Sequence, residues 1–272
     1  MKATILILAI LGFLFGGYSF FYNSWLLATP LDDSQYLLVQ RNAELWGWVT
    51  LACLVLAIGT ACTCINFSGI PRPSPSPQTI QCDRRFVLMS GLILYSWPMM
   101  MLFHELGHLL GAWITGGGVR ELVWHPLVFS RTDVDPNPSP LIVAWMGPLV
   151  GVALPLLAAA AVRAIRLSSH YLFAFFAGFC LIANGAYLAI GSFEGVGDAG
   201  DMMAHRTPRW VLIVFGGVTV PLGFWLWHRV SHRLRFGPPN RRLPIPALHA
   251  YAMLTLGILV IVIGLIFGNR GV

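Results

Sequence analysis

Two histidines and one glutamate stand together in the apolar segment MMMLFHELGHLLGAW, residues 99–113. In a helix, His104 and His108 lie about one turn apart and share a face, so both rings can reach one Zn²⁺ at about 2 Å. Glu105, the next residue, can act as a general base toward a water on that ion. This spacing therefore predicts hydrolytic chemistry with one zinc ion per chain. The alternative is a polar cluster that bonds a neighbouring helix without metal.

Catalytic zinc takes three protein ligands and leaves a position open for water, so one ligand is missing from this motif. Position 114, which is histidine in one extended form of the motif, is Ile114. Two apolar runs later the chain leaves the membrane on the same side, into GSFEGVGDAGDMMAH, residues 191–205. Its glycines release the backbone from a regular helix, and irregular backbone at membrane depth is tolerated where it lines a cavity. We predict Asp198 as the third ligand, with Glu194, Asp201 and then His205 in reserve and Glu121 and His125 ranked lower.

The composition excludes an ordinary soluble domain. Of 272 residues, 57% are hydrophobic and 10% charged, and the mean hydropathy is +0.72, whereas soluble domains are about 25% charged. A membrane-spanning helix needs about 20 apolar residues. Seven runs approach or exceed that length, at roughly 3–22, 45–65, 86–115, 140–162, 171–191, 210–228 and 247–268. The sequence predicts an all-α polytopic membrane protein with six to seven transmembrane helices, located in the cell membrane.

Proline-rich stretches divide the chain. GIPRPSPSPQ (69–78) and GPPNRRLPIP (237–246) separate three groups of apolar runs. We predict an N-terminal transmembrane helix pair (1–66), a Pro-rich linker (67–85), a core with the HExxH motif (86–205) and a C-terminal helix pair (206–272). The basic residues stand in loops without interleaved aromatics, which favours the lipid bilayer as a partner and argues against nucleic acid.

A short polar excursion follows the HExxH run. Two β-prone pieces, Val119–Trp124 and Leu127–Ser130, flank His125 and Pro126. They predict a β-hairpin in which Pro126, lacking an N–H, favours an edge position. The alternative is an irregular loop at the membrane interface.

Three motifs together resemble the site-2 protease family of intramembrane zinc metalloproteases. HELGH (104–108) matches the HExGH helix of that family, MGPLVG (146–151) is similar to its Gly-Pro signature, and GDAGD (197–201) after Asn184 resembles its Asp-Gly segment. The resemblance covers residues 86–205. It implies a three-helix catalytic core, Asp198 as a metal ligand, Asn184 as a substrate-binding residue and a transmembrane protein as substrate. The chain departs from the pattern because Asn184 lies further from Asp198 and the intervening prolines are missing.

We therefore predict an intramembrane zinc metalloprotease that cleaves membrane-embedded or membrane-proximal peptide bonds, with Glu105 as general base. One alternative is a prenyl-protein-type zinc protease, in which a glutamate such as Glu194 completes the site. The other is a membrane protein that binds or transports metal without catalysis.

The orientation in the membrane receives two opposite expectations. With seven spans, eleven Lys and Arg residues share the side of the N-terminus and six lie on the other side. The positive-inside rule then puts the N-terminus in the cytoplasm. The family resemblance instead implies that the HExGH helix ends toward the cytosol. The resemblance outweighs the charge count in this prediction, because the count inverts if one N-terminal span is miscounted.

Overall fold

The computed structural model describes residues 2–26, 33–65, 84–234 and 245–268. The predicted linker lies outside these residues except for its last two positions, which begin a helix. The described chain forms eight helices and one two-stranded sheet. The helices are α1 (Lys2–Leu26), α2 (Asp33–Ile65), α3 (Arg84–Thr115), α4 (Pro140–Ala164), α5 (His170–Glu194), α6 (Gly197–Ala204), α7 (Arg209–Leu234) and α8 (Ala247–Phe267), and the strands are β1 (Val119–Val123) and β2 (Arg131–Val134).

Six of these helices are long and apolar enough to cross a membrane, namely α1, α3, α4, α5, α7 and α8. A helix that is apolar on all sides is suited to lipid or to the interior of a bundle. The element order confirms the predicted mostly helical chain. Local sequence sets several boundaries: Pro140 occupies the first turn of α4, where a missing N–H costs nothing, and Gly195 ends α5 in the left-handed conformation at φ 70°.

Helix α3 lies against α4 along its C-terminal half and against α8 along its N-terminal half. Helix α5 packs on α4 and α7, and α1 pairs with α2. Glycines permit the closest approaches, as expected for helices that pack in lipid. A Cβ atom on Gly91 would meet the backbone of α8 at Leu254, and one on Gly223 would lie 2.7 Å from the carbonyl oxygen of Gly178 in α5.

The excursion after α3 contains an antiparallel strand pair, but its second strand is not where the sequence placed it. Strand β1 begins at the predicted Val119, whereas β2 is Arg131–Val134 rather than Leu127–Ser130. Leu127 and Val128 are buried in the connecting loop, so their apolar character reflects the core and not strand pairing. Strand β2 is mainly polar and half-buried, whereas β1 ends on the buried Val123.

Two tryptophans attach the sheet to α3. The indole N–H of Trp124 donates to the carbonyl of Pro98 at 2.9 Å, and that of Trp97 donates to the carbonyl of Pro126 at 3.3 Å. These reciprocal bonds hold the strand pair against the helix that carries the HExxH motif.

Candidate metal centre

Helix α3 brings its three motif residues to one buried place. His104 and His108 are 8% and 6% exposed and Glu105 is 1% exposed. The two Nε2 atoms are 3.1 Å apart, and one ligand atom from each of the three residues lies within 4.8 Å of the others. The helical spacing therefore produces the shared face that the sequence predicted.

Asp198 reaches the same place from the far end of α5. Its Oδ2 lies 2.8 Å from Nε2 of His104 and 3.4 Å from Nε2 of His108. The chain turns back through Gly195 and Gly197, both at positive φ. The sequence predicted irregular backbone in this segment, but after the turn the chain forms the short helix α6. The backbone N–H of Asp198 donates to the Tyr187 hydroxyl at 3.2 Å. A side chain on Gly197 would overlap that hydroxyl.

The outer nitrogen of each histidine has a hydrogen-bond acceptor. Nδ1 of His108 lies 2.8 Å from the carbonyl oxygen of Val143 in α4, and Nδ1 of His104 lies 2.7 Å from Oδ1 of Asn184 in α5. The Asn184 amide nitrogen donates to the carbonyl of Cys180 at 2.9 Å, which orients its oxygen toward His104. Each Nδ1 is therefore the N–H donor in the tautomer that binds metal, and each Nε2 faces Oδ2 of Asp198. Partners of this kind fix the tautomer and direction of metal-binding histidines.

The MGPLVG segment of α4 makes room for these rings. A Cβ on Gly147 would overlap the His108 imidazole, and one on Gly151 would lie 3.0 Å from Oδ1 of Asn184. On the facing helix, a Cβ on Gly107 would overlap the carbonyl of Met146. The glycines of both motifs therefore set the distance between α3 and α4 and leave space for the side chains.

The donor set fits a divalent metal. The two imidazole Nε2 atoms and one carboxylate oxygen converge with mutual distances of 2.8, 3.1 and 3.4 Å. Ligand atoms about 2.0–2.1 Å from a tetrahedral Zn²⁺ are roughly 3.3 Å apart. Three acceptors this close repel one another unless a cation or a proton lies among them. Burial opposes the charge of Asp198, but the neighbouring imidazoles outweigh it and lower the pKa of this carboxyl, so it is ionised and available as a ligand.

Glu105 has a partner that sequence reasoning did not find. The Thr132 hydroxyl on β2 donates to Oε2 of Glu105 at 2.7 Å. The pairing of Thr132 with Leu122 on β1 fixes its position along the sheet. This contact connects the strand pair directly to the carboxylate beside the histidines. No local signal reveals it, because it depends on which face of β2 meets α3.

A cavity of about 1400 Å³ opens onto this cluster. Its walls combine the ends of α1 and α5, the sheet, and the start of α4. The guanidinium of Arg131 lies at this wall, 2.7 Å from the Tyr36 hydroxyl and 3.3 Å from Asp133. Partial burial opposes the charge of Arg131, but these two partners raise the pKa of its guanidinium.

The reserve ligands take other positions. Glu194 and Asp201 line the same cavity, and burial together with the charge of Asp198 raises the pKa of Asp201. His205 is exposed and bonds the carbonyl of Asp201. The residues ranked lower are placed in the sheet region: Glu121 pairs with Arg131 at 3.4 Å, and His125 is fully buried beside the backbone N–H of Leu127.

No protein-family model matches this chain, and neither a curated protein nor a solved structure does.

Proposed function

We propose that the chain is an intramembrane zinc metalloprotease that hydrolyses peptide bonds of membrane-embedded or membrane-proximal protein substrates. The observation that carries the proposal is the convergence of His104, His108 and Asp198 beside Glu105 in a buried wall of a large cavity. Six apolar helices support an integral, multi-pass location, and we propose the cell membrane as its site.

The three converging side chains would hold one Zn²⁺. When bound, zinc polarises a scissile carbonyl and makes a water acidic enough to lose a proton near pH 7. Glu105 is the base that takes this proton and delivers it to the leaving amide nitrogen. The Thr132 hydroxyl holds one oxygen of Glu105, which leaves the other oxygen available for the proton. Val143 and Asn184 keep the two imidazoles in the tautomer that binds metal.

The identity of the acidic group favours this proposal over a prenyl-protein-type protease. That enzyme class completes its site with a glutamate, as the sequence alternative required of Glu194. Here Oδ2 of Asp198 is the oxygen within 2.8 Å of an imidazole. Glu194 is an exposed residue at the end of α5 and lines the cavity.

Glu105→Gln tests the proposal against a protein that only binds or transports metal. Zinc content is measured on purified protein in lipid nanodiscs, and cleavage is followed with fluorescent casein and with single-span membrane peptides in the same bilayer. The proposal expects wild-type zinc content in both proteins and a loss of cleavage of at least about 100-fold in the variant. Equal cleavage by the variant would show that Glu105 is not the base. A zinc-loaded wild type that cleaves none of the probes contradicts the protease assignment.

A further inference from the structure

The two ends of the helix bundle differ in charge. One end, the site end, contains the C-terminus of α3, the N-terminus of α4 and the C-terminus of α5, which meet around His108, Val143 and Asp198. The opposite end, the arginine end, contains the starts of α3, α5 and α8 and the end of α7. A buried cluster joins these four termini through residues that include Leu88, Tyr171, Val230 and Ala250.

The arginine end carries cations without acids among the described residues. Its six arginines are Arg84, Arg85, Arg163, Arg166, Arg229 and Arg233, and no Asp or Glu is found in the described parts of α3 to α8 at this end. Outside the described residues, the sequence adds Arg235, Arg241 and Arg242 between α7 and α8, and Arg72 and one acid, Asp83, before α3. This end is therefore strongly positive.

Aromatic side chains accompany these arginines in the manner of a membrane interface. The guanidinium of Arg229 lies 4.3 Å from the ring centre of Trp225, and that of Arg233 lies 5.6 Å from the ring centre of Tyr171. The Tyr171 hydroxyl also contacts Nδ1 of His249 at 2.9 Å. An exposed tryptophan beside a cation, as Trp225 is beside Arg229, is typical of the headgroup level of a bilayer, whereas Tyr171 is buried in the core of this end.

The site end has fewer cations, and acids surround them. Among the described residues of α3 to α8, it carries four arginines, namely Arg120, Arg131, Arg206 and Arg209, and six acids, namely Glu121, Asp133, Asp135, Glu194, Asp198 and Asp201. Arg131 is paired with both Glu121 and Asp133. The free positive charge of this end is therefore small.

The difference in charge between the two ends does not depend on how α1 and α2 cross the membrane. Helices α3 to α8 alone give the asymmetry. In addition, Tyr22 near the end of α1 lines the cavity, and Tyr36 near the start of α2 contacts Arg131. The end of α1 and the start of α2 therefore lie at the site end.

We propose that the arginine end faces the cytoplasm and that the candidate metal centre opens on the non-cytoplasmic side of the membrane. Excess Lys and Arg next to short loops sets the orientation of helical membrane proteins, and the cytoplasmic leaflet carries anionic lipids that attract such a surface. This orientation is the reverse of the one that the family resemblance implies. It restricts substrates and metal to those reachable from outside the cytoplasm.

A matched pair of cysteines tests the orientation. Ser168→Cys lies at the arginine end and Ala204→Cys at the site end, and both positions are exposed. Each is introduced into a variant whose five native cysteines are replaced, and that background without an added cysteine is the control. A membrane-impermeant maleimide is applied to intact bacterial cells that express the protein, and then to permeabilised cells.

The proposal expects at least tenfold more labelling of Ala204→Cys than of Ser168→Cys in intact cells, and equal labelling after permeabilisation. The reverse preference overturns it, and so does equal labelling in intact cells, which would mean mixed orientation. A variant whose cysteine stays unlabelled after permeabilisation is replaced by a fusion of alkaline phosphatase at the same loop, which is active only outside the cytoplasm. The readout is labelling or reporter activity, so the result is independent of the proposed protease function.

Discussion

Oδ2 of Asp198 lies 2.8 Å from Nε2 of His104, although 94 positions separate the two residues in the sequence. The same oxygen lies 3.4 Å from Nε2 of His108. This relationship brings a carboxylate to the two-histidine motif, and under the proposed function it completes a three-ligand site with Glu105 beside it as the base.

Loss of a residue that hydrogen-bonds a metal ligand lowers metal affinity by roughly 10–100-fold. Asp198→Asn is expected to lower zinc affinity by more than this, because a neutral amide replaces an anionic ligand. The measurement is competition of the purified protein with a zinc-binding dye. Asp201→Asn is the matched control, since Asp201 lines the same cavity in the same short helix, and it should retain affinity. Full affinity in Asp198→Asn together with loss in Asp201→Asn would reassign the ligand.

Gly147→Ala is expected to disrupt the metal centre through packing. The added Cβ would overlap the His108 ring, so either the imidazole rotates or α4 moves away from α3. We expect reduced zinc content and a lower melting temperature. Gly217→Ala provides the control, because a Cβ on Gly217 meets nothing within 4 Å and alanine favours a helix by about 0.5–1 kcal/mol. Equal zinc content in the two variants would contradict the packing role.

Thr132→Val removes the hydroxyl that donates to Glu105 while keeping the side-chain shape. We expect the cleavage rate to fall by about 10–100-fold at saturating substrate, with zinc affinity unchanged, since Thr132 contacts the base and not the histidines. Thr132→Ser retains the hydroxyl and should restore most of the rate. If the serine variant is as slow as the valine variant, the hydrogen bond is not responsible.

Asn184→Leu tests whether this residue orients His104 or binds substrate. Loss of the acceptor for Nδ1 of His104 is expected to lower zinc affinity by about 10–100-fold. Asn184→Asp keeps an acceptor oxygen at this position and should bind zinc more tightly than the leucine variant. Unchanged zinc affinity in Asn184→Leu with a raised KM would instead support the substrate-binding role that the sequence predicted.

Acidification is expected to release zinc. Each imidazole must be neutral to bind metal, so protons compete with zinc for Nε2 of His104 and His108 as the pH falls from 7.5 to 5.5. The lowered pKa of Asp198 keeps its carboxylate ionised through this range, so the histidines set the pH dependence. We expect affinity to fall at least about tenfold between pH 7.5 and 5.5, and circular dichroism should show unchanged helix content. Constant affinity over this interval would argue against histidine ligands.

The sequence alone predicts the relative positions of residues that lie on one helix. The spacing of His104 and His108 determines their common face in any α-helix. Asp198 required one further step, which was to count crossings and ask which later segment returns to the same membrane surface. Both predictions use the regular geometry of helices in a bilayer, and the structure places all three residues together.

The other contacts depend on how elements pack, and no local pattern encodes them. The Thr132 hydroxyl reaches Glu105 because β2 pairs in one register, and a shift of one residue would turn it to the opposite face. The Val143 carbonyl is a backbone group with no side-chain signature. The second strand was misplaced because Leu127 and Val128 have the apolar character of a strand but fill the interior of a loop.

Three glycines, one on α3 and two on α4, have a consequence for finding distant relatives of this chain. Gly107, Gly147 and Gly151 matter because they lack side chains, and each leaves room for a specific carbonyl, ring or amide on the facing helix. A larger residue at any of these positions would collide with its neighbour, whereas a lipid-facing residue between them meets no such neighbour. A comparison weighted by overall similarity therefore dilutes this information. A search that requires small residues at these three positions, together with the HExxH pair and a later aspartate, uses the part of the sequence that packing constrains most directly.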